Sequence, residues 1–218
     1  MLAIVLSAVQ NHIMDTTSSI AFFDRQFQQQ VEHQDFQLNP FELTALPHLH
    51  GRVLDFGCGL GNLAMAAAAQ GCSVLALDAS HAAIEHLHQR AAAAGFRIQA
   101  IEADLRDYRI DEDFDCVVSI GLLAFFDCPS ASRQLSMLQG RVRPGGLAVI
   151  NTLIEGTTWL DIFGVDDYCL FARKELTSRF AGWEILHSEF RNFDAPGQTI
   201  KSFATLIARK SGQGTQEI

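Results

Sequence analysis

Within Asp55-Phe-Gly57-Cys58-Gly59-Leu-Gly61-Asn62, one carboxylate and three glycines stand close enough together to grip a ligand through the main chain. Glycine removes the Cβ that would hold a ligand away from the backbone, and a helix that follows offers unpaired N–H groups. The run departs from the dinucleotide fingerprint Gly-x-Gly-x-x-Gly. Gly57 and Gly59 fit it, but Asn62 stands at the third place and the extra glycine falls early, at Gly61. Asp55 precedes the first glycine by two residues, where a carboxylate would repel a pyrophosphate and attract a cation. A ligand with a sulfonium, an ammonium and no phosphate answers to that chemistry, which points to S-adenosylmethionine rather than NAD.

Further candidates follow along the chain. Asp78, with Ala79 after it, closes an apolar run about twenty residues beyond the glycines, where an acid can accept two hydrogen bonds from a ribose diol. Its other use would be as a helix cap, which Ser80 could supply equally well. The carboxyl ends of adjacent parallel strands form the ligand crevice of an open sheet, which places Ser119, Ile120 and Gly121 beside the donor. Phe125 and Phe126 either wall an acceptor pocket or pack beneath the next helix. Arg191 could orient an anionic acceptor, and His33 and Asp127 are bases by position alone, so no catalytic residue is assigned. His81, His86 and His88 lack Cys or carboxylate company at ligand spacing and are expected to be solvated, with no metal.

These groups need a scaffold. Apolar runs at 52–56, 72–78, 97–102, 114–120 and 147–152 read as strands, and helical patterns at 63–70, 82–94 and 129–142 separate them. Strand–helix alternation of this kind implies a doubly wound α/β sheet, mostly parallel. A helix over 173–180 precedes two alternating strands, 182–190 and 199–209, joined at Ala195-Pro-Gly197 as an antiparallel pair. The whole is expected to be a seven-stranded Rossmann-like sheet with an antiparallel last strand. Upstream, 20–31 is a helix with Phe22, Phe23 and Phe27 on one face, either packing on the sheet or closing over the ligands as a lid. Residues 28–37 read as polar and pliant, and Asn39-Pro40 breaks the chain before a short helix over 41–49. The stretch 155–169, with Trp159, Phe163 and Asp166-Asp167, lies on the ligand side and should shape the substrate pocket. The expected organisation is an extension and helical lid over 1–40, the main domain over 41–210 and a frayed tail over 211–218.

Composition sets bounds. A chain of 218 residues, 48% hydrophobic and without a membrane-spanning apolar run, predicts one soluble globular domain. A formal charge of −9 weighs against nucleic acid as a partner. The five cysteines are scattered without a Cys-x-x-Cys pair, which predicts free thiols in a reducing cytoplasm. Met1 to Val9 is apolar but lacks a basic lead and a cleavage site, so a signal peptide is not expected; Met14 is a start as plausible as Met1.

Asp55-x-Gly57-x-Gly59-x-Gly61 and the Pro144-Gly-Gly turn resemble the class I S-adenosylmethionine-dependent methyltransferases, over about residues 40 to 210. That resemblance implies that Asp104 bonds the adenine amine, with Leu105 beside the ring, and that the reversed last strand inserts at the sheet edge. No Asn-Pro-Pro-Tyr-type tetrapeptide follows the fourth strand, a feature common where base or protein amide nitrogens are methylated. Within the class, Phe22-Phe23, Glu175-Leu176, Gly182-Trp-Glu184 and Ile200 to Lys210 look like the bacterial tellurite-resistance methyltransferases. That family, as the resemblance implies, methylates small oxyanions of tellurium and selenium and some soft nucleophiles, and carries a His-Arg pair and a further Arg near the last hairpin. Here those places hold Arg191-Asn192 and Thr199, so only Arg191 keeps a positive charge.

The expected function is methyl transfer from S-adenosylmethionine to a small soft nucleophile, an oxyanion or a thiol, in the cytoplasm. The alternatives are a catalytically silent S-adenosylmethionine-binding regulatory domain, or a methyltransferase acting on RNA or protein. A nucleotide-dependent oxidoreductase is opposed by Asp55 and Asn62. Sequence leaves open the acceptor and whether the protein is a monomer or homodimer.

Overall fold

The computed structural model describes residues 20, 22–163 and 167–212. The alternative start at Met14, Asp166 and the tail beyond 212 lie outside the described residues. A helix, α1, covers 22–32. It is followed by α2 (Pro40–Ala45), β1 (Arg52–Phe56), α3 (Asn62–Ala69), β2 (Ser73–Asp78), α4 (His81–Ala94) and β3 (Ile98–Glu102). Then come β4 (Phe114–Ile120), α5 (Cys128–Gly140), β5 (Val142–Leu153), α6 (Arg173–Ser178), β6 (Glu184–Ala195) and β7 (Thr199–Arg209).

One seven-stranded sheet has the order β3-β2-β1-β4-β5-β7-β6. The first five strands are mutually parallel, and β7 runs antiparallel to both β5 and β6. Because side chains alternate across a strand, the apolar runs fill both faces at once. Leu54, Leu75, Val117 and Ile150 lie in the core on one side, and Val53, Val74, Val118 and Val149 in the core on the other. Helices cover both faces, so a central strand here needs no polar side.

Three boundaries differ from the sequence reading. β5 begins at Val142, where the sequence predicts the end of a helix. The Pro144-Gly-Gly segment is carried within β5, opposite a register shift between Phe114 and Cys116. A Cβ on Gly146 would lie 2.6 Å from the backbone oxygen of Asp115, so the strand can pass only with glycine there. β6 continues to Ala195 because it stays paired with β7 to the hairpin itself. α1 runs through residue 32, into the stretch read as pliant.

The cysteine reading is corrected at two positions. Cys128 and Cys169 form a disulfide, while Cys58, Cys72 and Cys116 are buried free thiols. The bonded pair lies 41 residues apart, and only the fold joins them: Cys169 donates its N–H to the Ala124 carbonyl at 3.1 Å. The expectation for His86 is corrected too. Its ring is half-buried and stacks on Phe36 at 5.3 Å, although His81 is exposed as expected and bonds Glu102.

Candidate functional site

The carboxyl ends of β1, β2 and β4 open into a cavity of about 310 Å³. β1 ends in the glycine turn, whose Gly57 and Cys58 N–H groups both donate to the Leu77 carbonyl, at 2.8 and 3.0 Å. The turn is thus bonded onto β2 and delivered to the cavity wall. Its glycines do different work. Gly57 has φ +87°, and a Cβ there would lie 2.9 Å from the Leu122 side chain. A Cβ on Gly59 would come within 3.1 Å of the Phe27 ring, so α1 lies directly on the turn. Gly61 makes room for α4 instead, since a Cβ would stand 2.5 Å from Leu87.

Asp55, at the end of β1, is 4% exposed and lines the cavity. Its Oδ2 is buried with no hydrogen-bond partner among the described residues. Burial first, then the charges of Glu42 and Asp78, push its carboxyl up to about 8. A buried acid left this way is costly unless a cation completes it. Asp78 ends β2 and also faces the cavity. Its Oδ2 accepts from the Gly59 N–H at 2.8 Å and its Oδ1 from the Ser80 N–H at 2.9 Å. Burial raises the carboxyl against those bonds. The cap of α4 is Ser80, whose Oγ accepts from the Ala83 N–H, so Asp78 is left to the cavity.

Of the other predicted residues, Cys58, Gly57, Gly59, Asn62, Ala79, Asp104, Leu105, Ile120 and Gly121 also line the cavity. Burial raises the Cys58 thiol well above its ordinary value, so it is neutral. Asn62 opens α3, and its Oδ1 accepts from Arg90 of α4 at 2.8 Å. Asp104 takes the Arg106 guanidinium as a fork, which holds its carboxyl below the usual range. Phe125 and Phe126 line the cavity as well, with Phe125 set edge-on to Phe23 at 4.9 Å.

Five candidates lie elsewhere, the first being Gly61, which faces Leu87 and does not line the cavity. Ser119 is fully buried within β4 and does not line the cavity. Arg191 is on the edge strand β6, paired with Glu189 at 2.8 Å. Asp127 caps α5, its two oxygens accepting from the Ser130 N–H and hydroxyl at 2.8 and 2.7 Å. His33 bonds the Gln29 carbonyl in the exposed turn after α1.

Sequence reasoning missed Glu42 and Arg90. Glu42 lines the cavity and completes the capping box of α2 with Asn39; Asn-x-x-Glu is legible as a cap, but its place beside Asp55 is set by the fold. Arg90 donates to Asn62 and to the Leu60 carbonyl at 3.2 Å while its guanidinium stands 4.3 Å from the centre of the Phe36 ring. Among the described residues no group of three or more His, Cys, Asp or Glu could hold a metal ion, and no helix is long and apolar enough to cross a membrane.

Comparison with known proteins bears on this geometry. Residues 53–146 match the family model described as a methyltransferase domain. The chain is 27% identical over 167 residues to hemagglutinin 1 of Eikenella corrodens, covering 74% of this chain and 55% of that protein. It is 35% identical over 107 residues to the cypemycin N-terminal methyltransferase of Streptomyces sp, covering 47% of this chain and 42% of that protein. The chain therefore spans roughly half the length of these curated relatives. Among solved structures it is similar to TehB from Haemophilus influenzae, with a TM-score of 0.71 and 20% identity, covering 84% of this chain and 65% of that one. At that identity the likeness speaks to the fold alone. S-adenosylmethionine is the cofactor expected of such a domain, and the residues present fit it: an orphaned buried carboxylate for a cation, a second acid beside it and glycines that bare the main chain. The chain has the class I S-adenosylmethionine-dependent methyltransferase fold, with residues 53–146 matching the methyltransferase domain.

Proposed function

We propose that this protein transfers the methyl group of S-adenosylmethionine to a small-molecule soft nucleophile, a thiol or an oxyanion of the tellurite and selenite kind. The observation that carries the reading is Asp55, whose buried Oδ2 lies in the cavity wall with no hydrogen-bond partner among the described residues. In this reading Asp78 binds the ribose diol. Each of its oxygens accepts one backbone N–H and has acceptor capacity left. Asp104, steadied by Arg106, accepts from the adenine amine, and the buried Leu105 packs on the ring.

S-adenosylmethionine, when bound, supplies a methyl group already activated by its sulfonium. The chain's part is to align acceptor and donor and to keep water out, and alignment of this kind supplies about 7–11 kcal/mol. α1 serves as the lid, with Phe23 and Phe27 turned to the cavity. The two bases suggested by position lie outside the cavity wall, so no dedicated base is assigned. The Cys128–Cys169 bond weighs against the cytoplasmic setting expected from sequence, because such bonds persist in oxidising compartments.

Calorimetric titration with S-adenosylhomocysteine, with NAD as control, tests the reading. Binding of the homocysteine compound alone is expected, and Asp78→Ala should weaken it at least tenfold in a protein that keeps its thermal transition. Preference for NAD would mean that the glycine turn has been misread.

A further inference from the structure

Resting on the donor assignment of that reading, we infer that of its two acceptor classes the site takes the thiol, uncharged and apolar and held against the aromatic part of the cavity wall, and turns oxyanions away. The charges on the cavity wall are unequal. Glu42, Asp55, Asp78 and Asp104 face it, against Arg106 alone among the described residues, and Arg106 is forked onto Asp104. The donor brings one net positive charge, since its carboxylate offsets one of its two cations, and an excess of acid remains. Two further cations, Arg191 and Lys201, do not line the cavity. Arg191 pairs with Glu189 outside the cavity wall, and the Lys201 ammonium sits over the Trp159 ring at 3.7 Å. An anion entering a partly enclosed, acid-lined space meets like charge where water screens it little.

Part of the cavity wall is aromatic. Phe23, Phe125 and Phe126 line it, and Phe125 is backed by Phe163 at 5.0 Å. Such a surface takes up flat or apolar groups by burial and ring contact. The nucleophile must also present a lone pair without a charge. An alkyl amine is protonated near neutral pH and has none free, whereas a thiol, with a pKa of about 8.5, stays neutral and keeps its own. In the step, the acceptor sulfur forms a bond to the methyl carbon as the donor's sulfonium–methyl bond breaks. The bonding pair returns to the donor sulfur, giving S-adenosylhomocysteine, and the thiol proton leaves to water.

Two primary thiols that differ in charge separate the possibilities: benzyl mercaptan, uncharged and aromatic, and mercaptoacetate, which carries a carboxylate. Formation of S-adenosylhomocysteine is followed with each, and with sodium tellurite and sodium selenite, at saturating donor. We expect kcat/KM for benzyl mercaptan to exceed that of every anion at least tenfold. In Phe125→Arg, which places a cation in the aromatic side, the ratio of benzyl mercaptan to mercaptoacetate should fall at least tenfold. Equal or faster turnover of any anion by the wild-type protein, or turnover of none of the four while S-adenosylhomocysteine still binds, overturns the inference and leaves the donor assignment standing. Absence of S-adenosylhomocysteine binding takes down both.

Discussion

Under the proposed function, Asp55 joins stability and ligand binding in one carboxyl group. Its value of about 8 in the folded protein stands above the 3.8 of an unperturbed aspartate, so the folded chain binds the extra proton between those limits. Stability should therefore fall as pH rises from about 4 to about 8 and level off beyond, where both states are ionised. In Asp55→Asn that slope should flatten and the melting temperature at pH 8 should rise, while affinity for S-adenosylmethionine drops at least tenfold. Binding of a cation should also ionise the wild-type carboxyl. Calorimetry at pH 7 in phosphate and in Tris should then report different enthalpies, equivalent to roughly one proton released; identical enthalpies would remove Asp55 from the cation site. Residues of this kind were legible in sequence because local spacing dictates them: Asp55 and the glycines share one turn. Ser119 was not, since which side of a buried strand faces a cavity depends on the sheet. Asp127 shows the reverse case, as an acid directly before a helix with proline in its first turn is a cap first and a base second.

At the scale of elements, α1 and the glycine turn are linked at two points. Phe27 lies against Gly59, and the segment after α1 reaches the far side of the turn through Phe36, Arg90 and Asn62. Arg90 is thus a positioning residue for the turn, bonded to Leu60 and Asn62 on either side of Gly61. Arg90→Ala should lower S-adenosylhomocysteine affinity about five- to tenfold and make the 33–39 segment more open to protease, with the global melting temperature changed little. Arg90→Lys keeps a charge but loses the planar contact with Phe36, and should recover only part of the affinity. An unchanged affinity in Arg90→Ala would show that the turn holds itself. The strands and most helices could be read from periodicity, because each packs a face fixed by its own pattern. The start of β5 could not, because Gly146, in what looks like a turn, is what lets the strand pass Asp115. The Phe36–Arg90 contact was hidden for another reason: residues distant in sequence share it, and neither has an unusual neighbourhood.

The whole molecule divides along its sheet. β1, β2 and β3 bring Asp55, Asp78 and Asp104 to the cavity at their carboxyl ends, while Phe125 and Phe126 follow β4, with Phe23 of α1 and Phe163 set against Phe125. The disulfide lies entirely in the second half, tying the start of α5 to the end of the 155–172 segment. Closing a loop of 41 residues is worth up to about 4 kcal/mol by the chain-entropy estimate. Reduction by dithiothreitol, or the pair Cys128→Ser and Cys169→Ser, should therefore lower the melting temperature by several degrees. S-adenosylhomocysteine affinity should move less than twofold, and a large loss of it would mean that the two halves are not separable in this way. No spacing in the sequence could have foretold the bond, because it records a meeting of two loops that only the strand order brings about.

The same loop has a consequence for how such a protein changes over time. Its chain leaves and re-enters the body at adjacent posts, where Ile154 bridges Phe171 and the Glu155 N–H donates to the Phe171 carbonyl at 3.0 Å. Cys169 adds a third fixing at the Ala124 carbonyl. What lies between those posts can be exchanged as a cassette without disturbing the strands that grip the donor. Changes of sequence in that one stretch then act on the aromatic backing of the cavity through Phe163, while the strands of the other half answer to their own packing.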